Sequence, residues 1–178
     1  MVEHIVNFEA RRDRQDRVRV YKLDPDDGGG SFEVAGVNDR YHPKMARELR
    51  ALVNAGKYME AEAQAIIYIA GKTDFPASIA SDNAIRFLLR DIAWNRGPTG
   101  AVRTLQLALN VPVDGKIGPV TRKALNDAEA NPEDLILGIR TARDTYERQW
   151  AGRKPGNRYW KGLVNRWNKA SAIAQEYL

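Results

Sequence analysis

The sequence predicts a mainly helical single domain with one small β-hairpin near its N-terminus. Three observations lead there. After Pro43 apolar residues recur at the helical period along most of the chain. The only clear alternation of polar and apolar side chains, Arg17-Val18-Arg19-Val20, lies before that point. A length of 178 residues, with no low-complexity linker and no internal repeat, suffices for one core and is short for two independent ones.

The elements follow in order. Val2, Ile5, Val6 and Phe8 fit a short amphipathic helix that leaves Glu9 near its end. The polar stretch Asp13 to Asp16 can turn the chain ahead of the alternation from Arg17 to Leu23, which suggests a small hairpin. Asp24, Pro25 and the following glycines break regular structure. From Pro43, Met45, Leu49, Leu52 and Val53 share one helical face, and Gly56 is placed to stop that helix. A second helix spans about Met59 to Ala70 and ends at Gly71. Ser81 can cap a third, carrying Ile85, Leu88, Leu89 and Ile92 on one side. Asn95-Arg96-Gly97-Pro98 reads as a helix stop followed by a helix start, because proline suits the first helical turn. Val111 to Pro119 is a loop with two glycines, Thr121 opens another helix, Pro132 starts a longer one through Trp150, and Trp160 to Tyr177 is the last.

Composition excludes several kinds of chemistry. Lys and Arg total 28 against 23 Asp and Glu, a net charge of +5 that favours approach to a polyanion without saying which. The absence of cysteine removes disulfides, thiolate nucleophiles and cysteine-ligated zinc. His4 and His42, the only imidazoles, sit at no short ligand spacing, so zinc amidases and peptidases fit poorly. No cofactor or metal is expected. The N-terminus lacks a basic region followed by an apolar run, so no export signal is readable, and the richest apolar window, Ala65 to Ala70, is too short to span a bilayer.

Cleaving a glycoside requires a carboxylic acid beside the leaving oxygen and usually a second carboxylate for the water or the developing cation. Glu9 and the cluster Asp24, Asp26, Asp27, Glu33 supply the types. A glutamate where a helix meets a hairpin, followed by an acidic glycine-rich turn, can set two carboxyl groups across a cleft. The same residues also fit a surface glutamate followed by an ordinary turn. Tyr41, His42, Asp91, Asn95 and Arg96 are candidates to line a saccharide groove, since sugars are held by hydrogen bonds and aromatic faces, or else to make structural hydrogen bonds. Trp150, Tyr159, Trp160 and Trp167 offer either a sugar platform or core packing.

The order Phe8-Glu9, Asp24-Pro25-Asp26-Asp27-Gly28-Gly29 and Gly36-Val37 resembles the muramidases of glycoside hydrolase family 108, whose pattern is E-G-G-Y, D-P-x-D-x-G-G and a G-I pair. The likeness continues through Asp91, Asn95 and Gly97, then Leu105-Gln106 and Asp114-Gly115-Lys116-Ile117-Gly118-Pro119-Val120-Thr121, which is similar to the peptidoglycan-binding region at the C-terminus of those enzymes. Ala10, Arg11 and Arg12 replace the glycines and tyrosine of the first motif, and the stretch from Glu9 to Asp24 is longer than usual. The family threonine near the G-I pair has Glu33 at its counted place, with Ser31 the nearest hydroxyl.

The resemblance implies a lysozyme-like fold, with a catalytic part at 1–90 and a helical peptidoglycan-binding part at 91–178 packed on the same core. It implies cleavage of the β-1,4 bond between N-acetylmuramic acid and N-acetylglucosamine, with Glu9 as general acid. The second carboxylate is Asp27 by motif position, with Glu33 in reserve. Asp24, Ser31, Tyr41, His42, Asp91, Asn95 and Gln106 are the expected substrate-binding residues. Carboxyl groups roughly 6.5 to 9.5 Å apart would indicate inversion and about 5 to 5.5 Å retention.

Three other functions share parts of this pattern. A nucleic-acid-binding helical protein would draw on the arginines from Arg140 to Arg148, but Asp144 and Glu147 interrupt that face. A lytic transglycosylase would use Glu9 alone, as acid and then base. A non-catalytic wall-binding or secretion-assisting protein would keep the C-terminal features and lose the carboxylates. The expected partner is the glycan strand of bacterial peptidoglycan, with no nucleic acid, no stable membrane insertion and a monomeric state. Without a readable signal, the expected route to the wall is release through a holin or a secretion-associated path, and a phage endolysin and a bacterial wall-remodelling enzyme would look alike.

Overall fold

A computed structural model describes residues 1–24 and 29–178. The described chain is mainly helical, with seven helices and one three-stranded antiparallel sheet near the N-terminus, in strand order β1-β2-β3. It gathers into two compact units, Met1–Gly71 and Lys72–Leu178. Among the described residues no helix is long and apolar enough to cross a membrane.

The first unit opens with α1 (Val2–Glu9), which buries Ile5 and Val6 and stops at Ala10, where the backbone turns extended (φ −65°, ψ 124°). The hairpin expected after it forms only as a narrow loop. Arg12 bridges Val18, the Asp13 N–H donates to the Arg17 carbonyl at 2.9 Å, and the Arg19 N–H donates to the Arg11 carbonyl at 3.0 Å. Asp13 organises the turn: its Oδ1 accepts the N–H groups of Gln15 and Arg17 at 2.9 and 3.0 Å, as short polar side chains do in Asx turns. Arg12 ties the loop down through both guanidinium ends on Glu62 (2.5 and 3.2 Å) and through Asn7 at 2.8 Å.

The sheet itself differs from the expectation. β1 (Val20–Lys22) pairs with β2 (Phe32–Val34), and β2 pairs with β3 (Val37–Asn38). Phe32 and Val34 are buried while Glu33 between them is half-buried, the alternation a strand imposes. This segment escapes a pattern search because three residues of strand carry too little periodicity to recognise.

α2 (Pro43–Asn54) begins with Pro43 in its first turn and buries Ala46, Leu49 and Val53. It ends as expected at Gly56 (φ +76°), where the Gly56 and Lys57 N–H groups return to the carbonyls of Val53 and Leu52 at 3.0 and 2.9 Å. α3 (Tyr58–Ala77) runs through Gly71, where the sequence suggests a stop. A stripe at every fourth residue, Ala61, Ala65, Ile69, Thr73 and Ala77, is fully buried, and that outweighs the roughly 1 kcal/mol a helical glycine costs.

The second unit is built on α4 (Asn83–Ala108), against which α6 (Pro132–Gln149) and α7 (Trp160–Gln175) pack, with α5 (Pro119–Ala128) resting on α6. α4 is two helical segments joined at Gly97 (φ +71°, ψ 169°), with Pro98 opening the second, as the sequence predicts. Its cap is Asp82, whose Oδ1 accepts the Ile85 N–H at 3.0 Å, and not Ser81. Ser81 instead donates its own N–H to Glu129 at 2.8 Å. The core gathers Phe87, Leu88, Leu89, Leu105, Ile136, Ile139 and Trp167.

Candidate active site

Glu9 is the last residue of α1, half-buried, and its side chain lies against the turn between β2 and β3. That turn is a two-residue loop, Ala35-Gly36, closing the pair Val34 and Val37, with positive φ at both positions (50° and 78°). Two left-handed residues are what a type I′ hairpin needs to match the twist of its strands. A Cβ added at Gly36 would fall 2.7 Å from Glu9 Cγ and 3.3 Å from Glu9 Cδ. Gly36 therefore meets two demands at once, the left-handed backbone and the close approach of a carboxylate side chain.

The same hairpin carries Glu33, which pairs with Tyr21 on β1 and Asn38 on β3. It stands two residues from the turn, roughly 7 Å of strand at 3.4 Å per residue. Tyr21 has the guanidinium groups of Arg11 and Arg19 over its ring at 5.0 and 5.7 Å, so positive charge surrounds this face of the sheet.

Asn38 and Asp39 were not singled out in the sequence, yet they hold the segment before β2. Asp39 Oδ1 accepts the N–H groups of Ser31 and Phe32 at 2.7 and 3.2 Å, and Asn38 Nδ2 donates to the Gly29 carbonyl at 3.2 Å. Burial works against the Asp39 carboxylate, but those backbone donors outweigh it and hold its pKa below the ordinary carboxylate range. A Cβ at Gly30 (φ +105°) would come within 2.6 Å of Asn38 Oδ1 and 2.7 Å of Asp39 Oδ1. Gly30, directly after the glycines of the second motif, thus admits this clamp. Asp27 lies outside the described residues. Asp24 and Ser31 are exposed at the two ends of that segment.

Tyr41 is 63% exposed with Arg40 over its ring at 5.7 Å. His42 sits just ahead of α2, its Nδ1 3.0 Å from the Tyr68 hydroxyl and its ring edge-on to that tyrosine. The first unit therefore holds Glu9, Asp24, Ser31, Glu33, Tyr41 and His42. Among the described residues no group of three or more His, Asp and Glu side chains is placed to hold a metal ion.

Asp91, Asn95 and Gln106 belong to the second unit, and two of them are internal. Asp91 is fully buried and receives Arg143 at 2.6 Å and Arg166 at 2.7 Å. Burial opposes its ionisation, but Arg166 and Arg143 outweigh that and keep its pKa below the ordinary carboxylate range. Gln106, 1% exposed, closes the loop ahead of α5. Its Nε2 donates to Asp114 Oδ1 (2.7 Å), the Lys116 carbonyl (2.9 Å) and Thr121 Oγ1 (3.2 Å), and its Oε1 accepts the Gly115 N–H at 2.8 Å. The Leu-Gln and Asp-Gly-x-x-Gly-x-x-Thr pattern is thus a fold-closing clamp, and neither Asp91 nor Gln106 offers surface to a saccharide. Asn95 is half-buried, with its Nδ2 on the Asp91 carbonyl at 2.8 Å. Of the aromatic group, Trp167 is core at 4% exposure, while Trp150 is 40% exposed and stacked on Tyr146 with ring centres 5.6 Å apart.

Residues 100–168 match a family described as a predicted peptidoglycan domain. No curated protein sequence matches the chain. The fold is similar to the solved structure of Brucella abortus SagA, with a TM-score of 0.67 and 17% identity over 98% of this chain and 91% of that one.

Proposed function

We propose that this chain is a muramidase that cleaves the β-1,4 bond between N-acetylmuramic acid and N-acetylglucosamine in peptidoglycan, with residues 1–90 as the catalytic part and 91–178 as the wall-binding part. The observation that carries the reading is the seat of Glu9 at the end of α1, packed on the Gly36 turn. The first and third of the motifs whose order resembles the family 108 muramidases, Phe8-Glu9 and Gly36-Val37, meet there. The match of residues 100–168 to a predicted peptidoglycan domain supports the substrate class.

In this mechanism the Glu9 carboxyl donates its proton to the glycosidic oxygen as the bond to the anomeric carbon breaks, and an oxocarbenium-like transition state develops. A second carboxylate steadies that charge or takes a proton from the attacking water. Asp27 holds this role by motif position, and Glu33, on the hairpin that meets Glu9, is its alternative. Asp24, Ser31, Tyr41 and His42 flank the strand of substrate. The enzyme reaches its wall substrate after release from the cytoplasm. Mass spectrometry of digested peptidoglycan tests the reading: products with reducing muramic acid ends are expected, anhydro-muramic ends would identify a transglycosylase, and no new ends would leave a wall-binding protein.

A further inference from the structure

We propose that Arg11 and Arg19, set opposite each other on the outer face of the N-terminal hairpin beside Tyr21, form a site for the carboxylates that muramic acid and its stem peptide bring to the glycan strand. The inference rests on peptidoglycan being the substrate class, and it gives substrate recognition to residues that the proposed mechanism leaves unused.

The backbone fixes the pairing. Arg12 bridges Val18, and the Arg19 N–H donates to the Arg11 carbonyl at 3.0 Å, so Arg11 and Arg19 stand directly opposite each other across the narrow loop. Side chains alternate along a strand, which puts this pair on the face away from the fully buried Val18. Tyr21 follows two residues after Arg19 on the same side, and Glu33 lies across from it on β2. Both guanidinium groups reach the Tyr21 ring, Arg11 at 5.0 Å and Arg19 at 5.7 Å from its centre.

The arginines of this loop have different partners. Arg12 is paired with Glu62 and Arg17 with Asp13. Arg11 and Arg19 are exposed, and among the described residues neither guanidinium has an ion pair or a hydrogen bond. Like charges directly opposite in a β-ladder destabilise it. The ring of Tyr21 attracts both cations, but only an anion cancels their repulsion.

The placement suits a substrate carboxylate. A guanidinium presents parallel N–H donors that grip a carboxylate at two points, and a second guanidinium opposite can take the lone pairs left over. Arg11 is two residues after Glu9, so its Cα lies within about 7 Å of that of the proposed proton donor. A carboxylate held there would set the position of the glycan strand beside Glu9. Glu33 on the same face works against a continuous polyphosphate, whereas a muramyl strand brings its carboxylates at alternate sugars only.

The test titrates the full-length Glu9→Gln protein, which should hold glycans uncut, with three probes of equal sugar length. These are stem-bearing muropeptide chains, the same chains stripped of peptide so that the lactyl carboxylate is exposed, and chito-oligosaccharide, which has no carboxylate. We expect at least one carboxylate-bearing probe to bind about tenfold tighter than chito-oligosaccharide, with the preference shrinking as salt rises. Which of the two binds tighter identifies the stem or the lactyl group as the source. Adding Arg11→Gln and Arg19→Gln together should abolish the preference, leave chito-oligosaccharide affinity unchanged and keep the melting temperature, since Arg12 and Glu62 still tie the loop down. Arg19→Lys, which keeps the charge but not the two-point grip, should lose part of the preference. Equal affinity for all three probes, no binding of any, or a preference that survives the double substitution would overturn the site. So would tighter binding of a single-stranded oligonucleotide than of the muropeptide chains. Cleavage of whole peptidoglycan by the unmodified protein is scored separately. Cleavage without carboxylate preference refutes only the arginine site, while an arginine-dependent preference in a protein that cuts nothing refutes only the muramidase.

Discussion

Glu9 and Gly36, 27 positions apart in the chain, are in direct contact: the end of α1 sets the glutamate side chain where any Cβ at Gly36 would collide with it. The left-handed turn at Ala35-Gly36 therefore acts as a rest for the proposed proton donor, and a general acid held in one place needs no reorganisation before reaction.

Gly36→Ala should consequently harm activity beyond its effect on stability. Alanine in the left-handed region costs roughly 1 to 2 kcal/mol, and its methyl group must displace Glu9. We expect a melting temperature lowered by several degrees and a kcat reduced far more than the folded fraction accounts for. Wild-type kcat in the folded variant would show that the contact does not position the acid.

Gln106→Leu should destabilise the second unit by about 1 to 3 kcal/mol, because it leaves the part-buried Gly115 N–H and the buried Thr121 hydroxyl without Gln106 as a partner. Denaturant unfolding measures this directly. A variant with unchanged stability but weakened peptidoglycan binding would return Gln106 to the substrate-binding set.

The Asp91 cluster makes an acid-stability prediction. Its carboxyl pKa is depressed in the folded state by Arg166 and Arg143, so its contribution is fully present above the unfolded value of 3.8 and is lost as pH falls through the lower folded value. Wild-type stability should therefore decline as pH drops below about 4. Asp91→Asn should be less stable at neutral pH, and its stability should fall less steeply in acid. Parallel acid slopes for the two proteins, followed by circular dichroism, would contradict the assignment.

The two candidates for second carboxylate separate kinetically. Asp27→Asn is expected to lower kcat far more than it raises KM, the pattern of an interaction made chiefly in the transition state, while Glu33→Gln should have the smaller effect. Glu33 stands on the hairpin that Glu9 touches. Loss of kcat in Glu33→Gln with wild-type kcat in Asp27→Asn would reverse the assignment.

Helices with punctuated ends were legible in the sequence. Pro43 and Gly56 bound α2, Gly97-Pro98 breaks α4 and Pro132 opens α6, because proline and glycine restrict the backbone locally, whereas α5 starts at Pro119, two residues before the Thr121 at which the sequence places its start. What failed depended on distant partners. Ser81 looked like a cap until Glu129 claimed it and left Asp82 to accept the Ile85 N–H. Gly71 looked like a stop, but buried Thr73 and Ala77 extend the helix. Asp91 and Gln106 have the chemistry of sugar ligands, and only the arginines of α6 and α7 and the loop ahead of α5 show them to be internal. Glu9 was legible as a candidate, while its contact with Gly36 needed a turn between two strands too short to recognise.

The central claim is that Glu9 donates the proton, and a single comparison tests it most directly. Wild-type protein and Glu9→Gln, matched for melting temperature and for binding to purified peptidoglycan, are assayed for release of new reducing ends. The amide keeps the shape of the side chain but cannot supply the proton, so the rate should fall by roughly 10² to 10⁴ while binding is retained. Release of reducing ends at the wild-type rate by the folded Glu9→Gln protein would contradict the account.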